Sequence, residues 1–295
     1  MNKDKFNPQV KLTRHKELND YLDGNFIYPI NTEISVSGRC QANCKECFYS
    51  GNQSKQIIDK NIFLKFLDEY RGKAITWTGG GEPTLHPDFE LFNKRTNVSQ
   101  GLITNGLSVR NVRMDWIRVS KTNQPWNTGN LRRLRDMTSS LGLCINYKNK
   151  SDNDEKTIQE ALDVADRLGL DYVQVRPALN QGDIPTFVDK PKIVHPKLIV
   201  SDYKFEEARR ERDYKMCEGF HFVPFIWENG DVDVCGYHPN DKRYNLGNLY
   251  KDGFTKIMNK SPDYVLLDNC QRCCKNHEIN RVIHYMRNLE DINFV

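Results

Sequence analysis

The feature that most constrains this sequence is a run of three cysteines, Cys40, Cys44 and Cys47, spaced C-x3-C-x2-C. Three is an odd number for disulfides and one ligand short of a closed tetrahedral zinc site. A glycine, Gly38, precedes the run and another, Gly51, follows it. The spacing therefore indicates a metal centre that the polypeptide leaves incomplete.

Composition narrows the setting of this centre. Of the 295 residues, 38% are hydrophobic and 28% are charged, as in ordinary globular proteins. No apolar run approaches the ~20 residues that span a bilayer, and residues 1–21 contain no apolar segment of a secretion signal. We therefore expect a cytoplasmic protein without membrane contact. In that reducing compartment its nine cysteines would be ligands or free thiols.

The positive charge of the chain is small and dispersed. Net charge is +4, and the densest basic runs are residues 130–136 and 207–215. Both are predicted to be solvated helix faces with acidic partners. No known nucleic-acid-binding signature accompanies them, so they favour nucleic-acid binding only weakly.

Short apolar runs alternate with helical patterns between about residues 33 and 180. Strands are expected at residues 33–38, 74–83, 101–106, 115–122, 143–147 and 172–178, and helices at residues 59–70, 128–141 and 156–169. Such alternation predicts an α/β fold with a parallel sheet, whose functional loops follow the carboxyl ends of the strands. Six units are too few for a closed eight-fold barrel, so we predict a partial (β/α)6 TIM-like barrel.

The pattern divides the chain into three parts. Residues 1–30 are an N-terminal extension, residues 31–197 the partial barrel, and residues 198–295 a small second domain with a β-hairpin and a C-terminal helix. The hairpin is predicted to turn at Asn229-Gly230. Cysteines recur in this last part, at Cys217, Cys235, Cys270, Cys273 and Cys274.

Three cysteines suit an iron–sulfur cluster better than a single metal ion. A four-iron cluster normally binds one thiolate per iron, so three thiolates leave one iron open to a substrate or cofactor. The expected position of the loop, at the carboxyl end of the first strand, places that open iron over the mouth of the barrel. A structural zinc site, completed by a histidine or a distant cysteine, is the alternative.

The C-x3-C-x2-C loop, followed one strand later by the glycine-rich Thr78–Pro83, resembles the radical S-adenosylmethionine (radical SAM) superfamily. The resemblance implies that Cys40, Cys44 and Cys47 hold a [4Fe–4S] cluster whose open iron chelates the amino and carboxylate groups of SAM. An external one-electron reductant of the flavodoxin or ferredoxin type would reduce the cluster. SAM is then cleaved to a 5′-deoxyadenosyl radical, which takes a hydrogen atom from the substrate.

The same resemblance assigns further contacts to SAM. The glycine-rich segment would hold the amino group of its methionine moiety, through Gly80, Gly81 and Glu82. Its ribose or carboxylate would contact polar residues at the ends of later strands, namely Asn105, Ser120 and Asn146, and Arg176 would hold SAM or an anionic substrate. The family usually has an aromatic residue before the third cysteine; this chain has Glu46 there, so Phe48 is predicted to pack on the adenine.

The later cysteines resemble a Twitch domain, the shortened form of the SPASM extension found in many radical SAM enzymes. The predicted hairpin, the G-x4-C from Gly230 to Cys235 and the late C-x2-C carry this resemblance. It implies an auxiliary [4Fe–4S] cluster that takes part in electron transfer. Its ligands would be Cys217, Cys235, Cys270 and Cys273, with Cys274 as a substitute for Cys273. A four-cysteine zinc ribbon is the alternative.

The substrate follows least directly from the sequence. We expect oxidation or rearrangement of a small-molecule or nucleotide-like substrate. Modification of a peptide or of a nucleic-acid base is the alternative. The peptide alternative is less favoured because little chain precedes the first strand for a leader-binding domain. No acid or base residue is assigned from the sequence. A zinc-stabilised binding protein is the non-enzymatic alternative.

Overall fold

The computed structural model describes residues 6–44, 47–49, 54–147, 152–178, 189–207, 212–268, 270 and 276–290. The strands in this part of the chain are β1 Asn31–Ser35, β2 Ala74–Thr78, β3 Ser99–Thr104, β4 Trp116–Ser120, β5 Leu141–Tyr147, β6 Tyr172–Pro177, β7 Leu198–Val200, β8 Met216–Cys217, β9 Phe225–Ile226, β10 Asp231–Asp233, β11 Asn245–Asn248 and β12 Val265–Leu266. The helices are α1 Pro8–Leu12, α2 Glu17–Leu22, α3 Lys60–Glu69, α4 Phe89–Arg95, α5 Thr128–Arg135, α6 Asp152–Arg167, α7 Asp202–Glu207, α8 Phe254–Lys260 and α9 His277–Arg287.

The central sheet has the strand order β11-β10-β9-β1-β2-β3-β4-β5-β6-β7. Strands β1 to β7 are parallel to their neighbours, and helices connect most of them. This is the α/β architecture of a partial TIM-like barrel, which the sequence predicted. Because all these strands run the same way, their carboxyl ends lie at one edge and bring the loops that follow them together.

Alternation along the strands separates the core from the barrel interior. On β5, the side chains of Leu141, Leu143 and Ile145 join the main hydrophobic core, whereas Cys144 lies outside that cluster. Asn146, on the same face of β5 as Cys144, is exposed. Because successive side chains of a strand point to opposite faces, residues 144 and 146 belong to the interior of the barrel.

Helix α3 illustrates how closely local sequence can define an element. Asp59 accepts hydrogen bonds from the backbone N–H groups of Asn61 and Ile62, as an N-cap residue does. Phe63 and Phe66 are buried on the inner face of the helix. Burying a phenylalanine contributes about 1.5–3 kcal/mol, so these two residues anchor the helix against the sheet.

Helix α5 is shorter than the predicted helix at residues 128–141. It ends at Arg135, because the residues after it bond to β4 instead of continuing the helix. Met114 N–H bonds to the Met137 carbonyl, and Ile117 N–H bonds to the Ser140 carbonyl. Tertiary pairing with β4 therefore overrides local helix propensity in this segment.

The sheet also extends beyond the six predicted strands on both sides. Strand β7 adds to β6 in parallel, and β9 pairs in parallel with β1. Strands β9 and β10 form the predicted antiparallel hairpin, with Gly230 at a φ of 83° in its turn. The hairpin is thus continuous with the barrel sheet and lies next to the strand that leads into the first cysteine loop.

The N-terminal helices pack on the other end of the chain. A second apolar cluster joins them to α9 and to the segment before β9; its buried members are Leu12, Leu18, Ile27, Phe222, Ile279 and Ile283. Among the described helices, none has the length and apolar character needed to cross a bilayer.

Candidate functional site

The first cysteine loop begins at the carboxyl end of β1. Cys40, Cys44 and Cys47 are each partly exposed, and none is in a disulfide. Asn43 adopts a φ of 43°, a left-handed conformation that asparagine tolerates better than most residues. The backbone N–H of Cys47 donates to the Cys44 carbonyl at 3.2 Å, which folds the described part of the loop back on itself.

The glycine-rich segment after β2 lies directly against this loop. The backbone N–H of Glu82 donates to the Arg39 carbonyl at 2.8 Å. A Cβ on Gly81 would fall 2.4 Å from the Ser37 carbonyl oxygen and 2.5 Å from that of Arg39. Only glycine allows this approach, so the sequence signal "GGGEP" has a structural cause at Gly81.

The Glu82 side chain is buried and joins β2 to β3. Its Oε1 atom accepts bonds from the Thr84 backbone and hydroxyl and from the Thr104 hydroxyl, at 2.7–3.2 Å. Its Oε2 atom accepts the Asn105 backbone N–H at 2.7 Å. Burial raises the pKa of this carboxyl, although the hydrogen bonds oppose the shift. With one donor among the described residues, Oε2 retains acceptor capacity for a further donor such as an ammonium group.

Asn105 completes the contact between the first three strand ends. Its Nδ2 atom lies 3.6 Å from the Cys40 Sγ atom and 3.2 Å from Gln41 Oε1. Cys40, Glu82 and Asn105, predicted separately from three loops, therefore meet at one place. The arrangement combines a thiol, a carboxylate and a side-chain amide at the carboxyl ends of β1, β2 and β3.

Phe48 packs against the C-terminal part of the chain. Its ring centroid lies 4.9 Å from that of Tyr237 and 5.1 Å from that of Tyr49. Tyr49 in turn makes an edge contact with Trp227 at 5.8 Å. These four aromatic residues connect the first cysteine loop to the hairpin. The adenine contact assigned to Phe48 stays a prediction.

The remaining predicted contacts follow β4, β5 and β6. Arg176 Nε donates to Asn146 Oδ1 at 2.8 Å, and the two residues are register partners on neighbouring strands. Ser120, at the end of β4, lines a small cavity together with Asn105 and Trp126. Ser120 therefore lies beside the first group of predicted residues, whereas Asn146 and Arg176 form a separate pair.

Three of the later cysteines are close enough to influence one another. Cys217, Cys235 and Cys270 are buried, and burial raises the pKa of each thiol, to about 11 for Cys217. Asn280 Nδ2 lies 3.4 Å from Cys217 Sγ, and the Tyr237 backbone N–H bonds to the Cys235 sulfur. Cys273 and Cys274 lie outside the described residues, as does Glu46.

Cysteine thiolates, the donors in both sets, are the ligands that iron–sulfur clusters take. Within the described ranges, no three His, Cys, Asp or Glu side chains are arranged to share one metal ion. In a four-iron cluster each thiolate binds a different iron, so the sulfurs surround a larger group. Burial keeps these thiols protonated in the absence of a metal, so a bound cluster would have to displace their protons.

Sequence reasoning missed Glu228, a buried carboxylate on the hairpin. It accepts a hydrogen bond from Ser35, at the end of β1, and another from Ser54, after the cysteine loop. A Cβ on Gly38 would lie 2.5 Å from its Oε1 atom. No local motif marks this residue, because both of its partners lie more than 170 positions away in the sequence.

Comparison with solved structures supports the fold. Streptococcus suis SuiB bound to its precursor peptide SuiA has a TM-score of 0.60 and 12% identity, over 88% of this chain and 72% of that one. The same protein bound to S-adenosylmethionine gives a TM-score of 0.57 at 13% identity, over 85% and 69% of the two chains. A third structure, anSMEcpe with AdoMet and the Cp18Cys peptide, gives 0.52 at 16% identity, over 83% and 86%.

SuiB and anSMEcpe are radical SAM enzymes, and this chain shares their fold. No protein-family model and no curated protein sequence matches the chain.

Proposed function

We propose that this protein is a radical SAM enzyme. Cys40, Cys44 and Cys47 would hold a [4Fe–4S] cluster, and SAM would bind the open iron beside the glycine-rich segment. When bound, this cluster supplies one electron that cleaves SAM and generates the radical that abstracts hydrogen from the substrate. The protein residues bind and orient these groups and shield them from water.

One observation carries the proposal: Cys40, Glu82 and Asn105 converge at the carboxyl ends of three adjacent parallel strands. The contact depends on Gly81, where any larger residue would clash with the start of the cysteine loop. A structural zinc loop would not require a glycine-rich strand end to be packed against it. A cluster bound by the cysteines, with the ammonium group of SAM beside it, accounts for both the cysteine loop and the glycine-rich strand end.

Particular residues have proposed roles toward SAM. The Oε2 atom of Glu82 is the acceptor for the amino group, because a carboxylate pairs with an ammonium. Gly80 and Gly81 would hold the same amino group together with Glu82; Gly81 keeps the backbone close to the cysteine loop, and Asn105 donates to the Cys40 sulfur. Ser120 lines the adjoining cavity, where it can contact the ribose. Phe48 would lie against the adenine.

We further propose an auxiliary [4Fe–4S] cluster held by Cys217, Cys235, Cys270 and Cys273, with Cys274 as the alternative fourth ligand. The mutual influence of the three described thiols and the hydrogen bonds to two of their sulfurs support this assignment. With all four irons bound by cysteine, this cluster would transfer electrons rather than bind substrate. Its expected contribution is to accept the electron left on a substrate radical, which makes the outcome an oxidation.

The metal content of the protein tests both assignments. Protein purified without air should be brown and contain iron and sulfide equivalent to two four-iron clusters. Cys40→Ala and Cys217→Ala should each lose about half of this iron. The matched control is Cys144→Ala, because Cys144 is also buried but belongs to neither set, and its iron content should be unchanged. Colourless protein that contains zinc would contradict the proposal.

The activity test is SAM cleavage. Reconstituted protein, given SAM and a strong reductant or a reduced flavodoxin, should release 5′-deoxyadenosine. The release should disappear in Cys40→Ala and persist in Cys144→Ala. If the protein contains iron–sulfur clusters but releases no deoxyadenosine, the cluster assignment stands and the proposed cleavage of SAM is wrong.

The substrate proposed first is a small molecule, and a peptide is the second candidate. The second candidate gains support from SuiB and anSMEcpe, whose structures contain bound peptides. The two can be separated by incubating the reduced enzyme and SAM with a peptide library or with a metabolite extract. Mass spectrometry then measures the deoxyadenosine formed with each pool. Deoxyadenosine formation that rises only with one pool identifies the class.

A further inference from the structure

We propose that Arg176 binds an oxyanion of the substrate, either a carboxylate or a phosphate, between the two sets of cysteines. The inference rests on the proposed function, which makes this space the substrate site. It narrows the substrate to an anion and assigns the recognition to one side chain on β6.

The guanidinium of Arg176 is held in place at one end. Its Nε atom donates to Asn146 Oδ1 at 2.8 Å, on the neighbouring strand β5. Its two terminal amino groups make no hydrogen bond to the described residues, and the side chain is only partly buried. A planar guanidinium fixed through Nε presents its remaining donors as a fork, which matches the paired oxygens of a carboxylate or phosphate.

Arg176 also lacks a counter-ion among the described residues. Burial desolvates its guanidinium, and the groups with the largest electrostatic effect on it are the Cys144 thiol and the phenols of Tyr237, Tyr203 and Tyr49. Some arginines of the described residues have carboxylate partners, among them Arg95, Arg135 and Arg287. Others, such as Arg110 and Arg118, donate instead from the guanidinium to a carbonyl or amide oxygen of the protein, as Arg176 does through Nε alone. A partly desolvated cation without an anion is costly, and a bound oxyanion would offset that cost.

Tyr49 relates this arginine to both cysteine sets. It follows Cys47 by two residues, and the groups that act on its phenol include Cys47, Cys235 and Arg176. Tyr237 acts on Tyr49 and on Arg176, and its backbone N–H bonds to the Cys235 sulfur. Arg176 therefore lies within electrostatic range of Tyr49, next to the first cysteine loop, and of Tyr237, next to Cys235.

The carboxylate of SAM is the competing source of the anion. In SAM the carboxylate and amino groups share one carbon, so both must lie near the same strands. The acceptor proposed for the amino group, Glu82, is at the end of β2 beside β3. Arg176 is on β6, four positions along the sheet from β2. The proposal therefore assigns the anion at Arg176 to the substrate, and the SAM affinity of Arg176→Gln decides between the two sources.

The test uses anaerobic, reconstituted protein saturated with SAM. Inorganic phosphate and acetate are the probes, each titrated at constant ionic strength with chloride as the balancing ion, and binding is followed by calorimetry. We expect saturable binding that is about 10- to 100-fold weaker in Arg176→Gln, the loss typical of a charge-assisted pair. Arg176→Lys, which keeps the charge but loses the fork, should fall between. The matched control is Arg95→Gln, which should bind as the wild type does.

The results separate the sources of the anion. Tighter binding of phosphate supports a phosphorylated substrate, and tighter binding of acetate supports a carboxylate. Absence of saturable binding in the wild type, or equal binding in Arg176→Gln, would overturn the proposal. So would a matching loss of SAM affinity in Arg176→Gln, because the arginine would then serve SAM. If anion binding depends on Arg176 but the protein does not cleave SAM, the anion site stands and only the proposed function is wrong.

Discussion

The hydroxyl of Ser35 donates a hydrogen bond of 2.8 Å to the Oε2 atom of Glu228, across the boundary between β1 and the C-terminal hairpin. The Oε1 atom of the same carboxylate accepts a bond from Ser54. Ser35 precedes the first cysteine loop and Ser54 follows it, whereas Glu228 is only 6% exposed. One buried carboxylate thus holds both flanks of the loop against the hairpin that leads to Cys235.

We expect Glu228→Gln to loosen this connection. An amide is neutral and replaces one acceptor with a donor, so one serine hydroxyl can no longer donate to this side chain and both charge-assisted bonds are lost, at a cost of about 1–3 kcal/mol. Anaerobic urea denaturation should show this loss. A double-mutant cycle with Ser35→Ala measures the coupling, and the two changes should not be additive. Additive effects would mean that the two residues act independently.

Gly81→Ala should disrupt the first cysteine loop without unfolding the barrel. The added Cβ would lie 2.4–2.5 Å from two backbone carbonyl oxygens, which cannot rotate away as a flexible side chain can. Either the loop or the glycine-rich segment must therefore move. The expected result is loss of iron from the first cluster and loss of SAM cleavage, with little change in far-ultraviolet circular dichroism.

Gly129→Ala is the control for this substitution. Gly129 is in the first turn of α5, where a Cβ would meet Asn127 Oδ1 at an ordinary 3.5 Å. Alanine also favours a helix by up to about 1 kcal/mol over glycine. This variant should keep its iron and be at least as stable as the wild type. Equal iron retention by both variants would argue against a steric need for Gly81.

The elements that the sequence predicted well are those with local causes. Helix α3 has its N-cap at Asp59 and a one-sided apolar pattern, and the hairpin turn has Asn229-Gly230. Both signals act over a few residues and need no partner elsewhere in the chain. The pairing of β9 with β1 had no such signal, because it joins segments almost 200 residues apart.

The same distinction applies to the site. Cys40, Glu82 and Asn105 were predicted because each belongs to a recognisable loop after a strand. Glu228 was missed, because a single glutamate in a hairpin has many possible partners and its role depends on Ser35 and Ser54. Sequence thus identified residues that belong to motifs, and the tertiary fold was needed to find a residue that joins them.

Asn105 should tune the reduction potential of the first cluster. Its Nδ2 atom lies 3.6 Å from Cys40 Sγ, and hydrogen bonds to a ligand sulfur stabilise the more negative, reduced state. Asn105→Ala removes this donor but keeps the backbone N–H that bonds to Glu82. We expect a lower midpoint potential in a redox titration followed by electron paramagnetic resonance, with iron content unchanged. An unchanged potential would mean that the amide does not donate to the sulfur in the reduced protein.

His277 should make the protein less stable as the pH falls below neutrality. Burial, followed by the nearby Arg281, lowers the pKa of His277 to about 4, and its Nδ1 atom lies 2.7 Å from the Tyr214 hydroxyl. In the unfolded chain the same group has a pKa near 6.5. Between these values the unfolded state binds the additional proton, so acidification favours unfolding.

The stabilisation from neutral His277 is therefore complete above about pH 6.5 and is lost as the pH falls toward about 4. Its full size is up to about 3 kcal/mol, at 1.36 kcal/mol per pKa unit. His277→Gln cannot be protonated and should flatten this part of the profile. Anaerobic urea denaturation between pH 7 and pH 5 gives the free energy of unfolding of both proteins. Any acid sensitivity of the clusters is shared by the two proteins and cancels in the difference between them. Parallel profiles would show that His277 does not titrate with folding, and the acid sensitivity would then have to come from other groups.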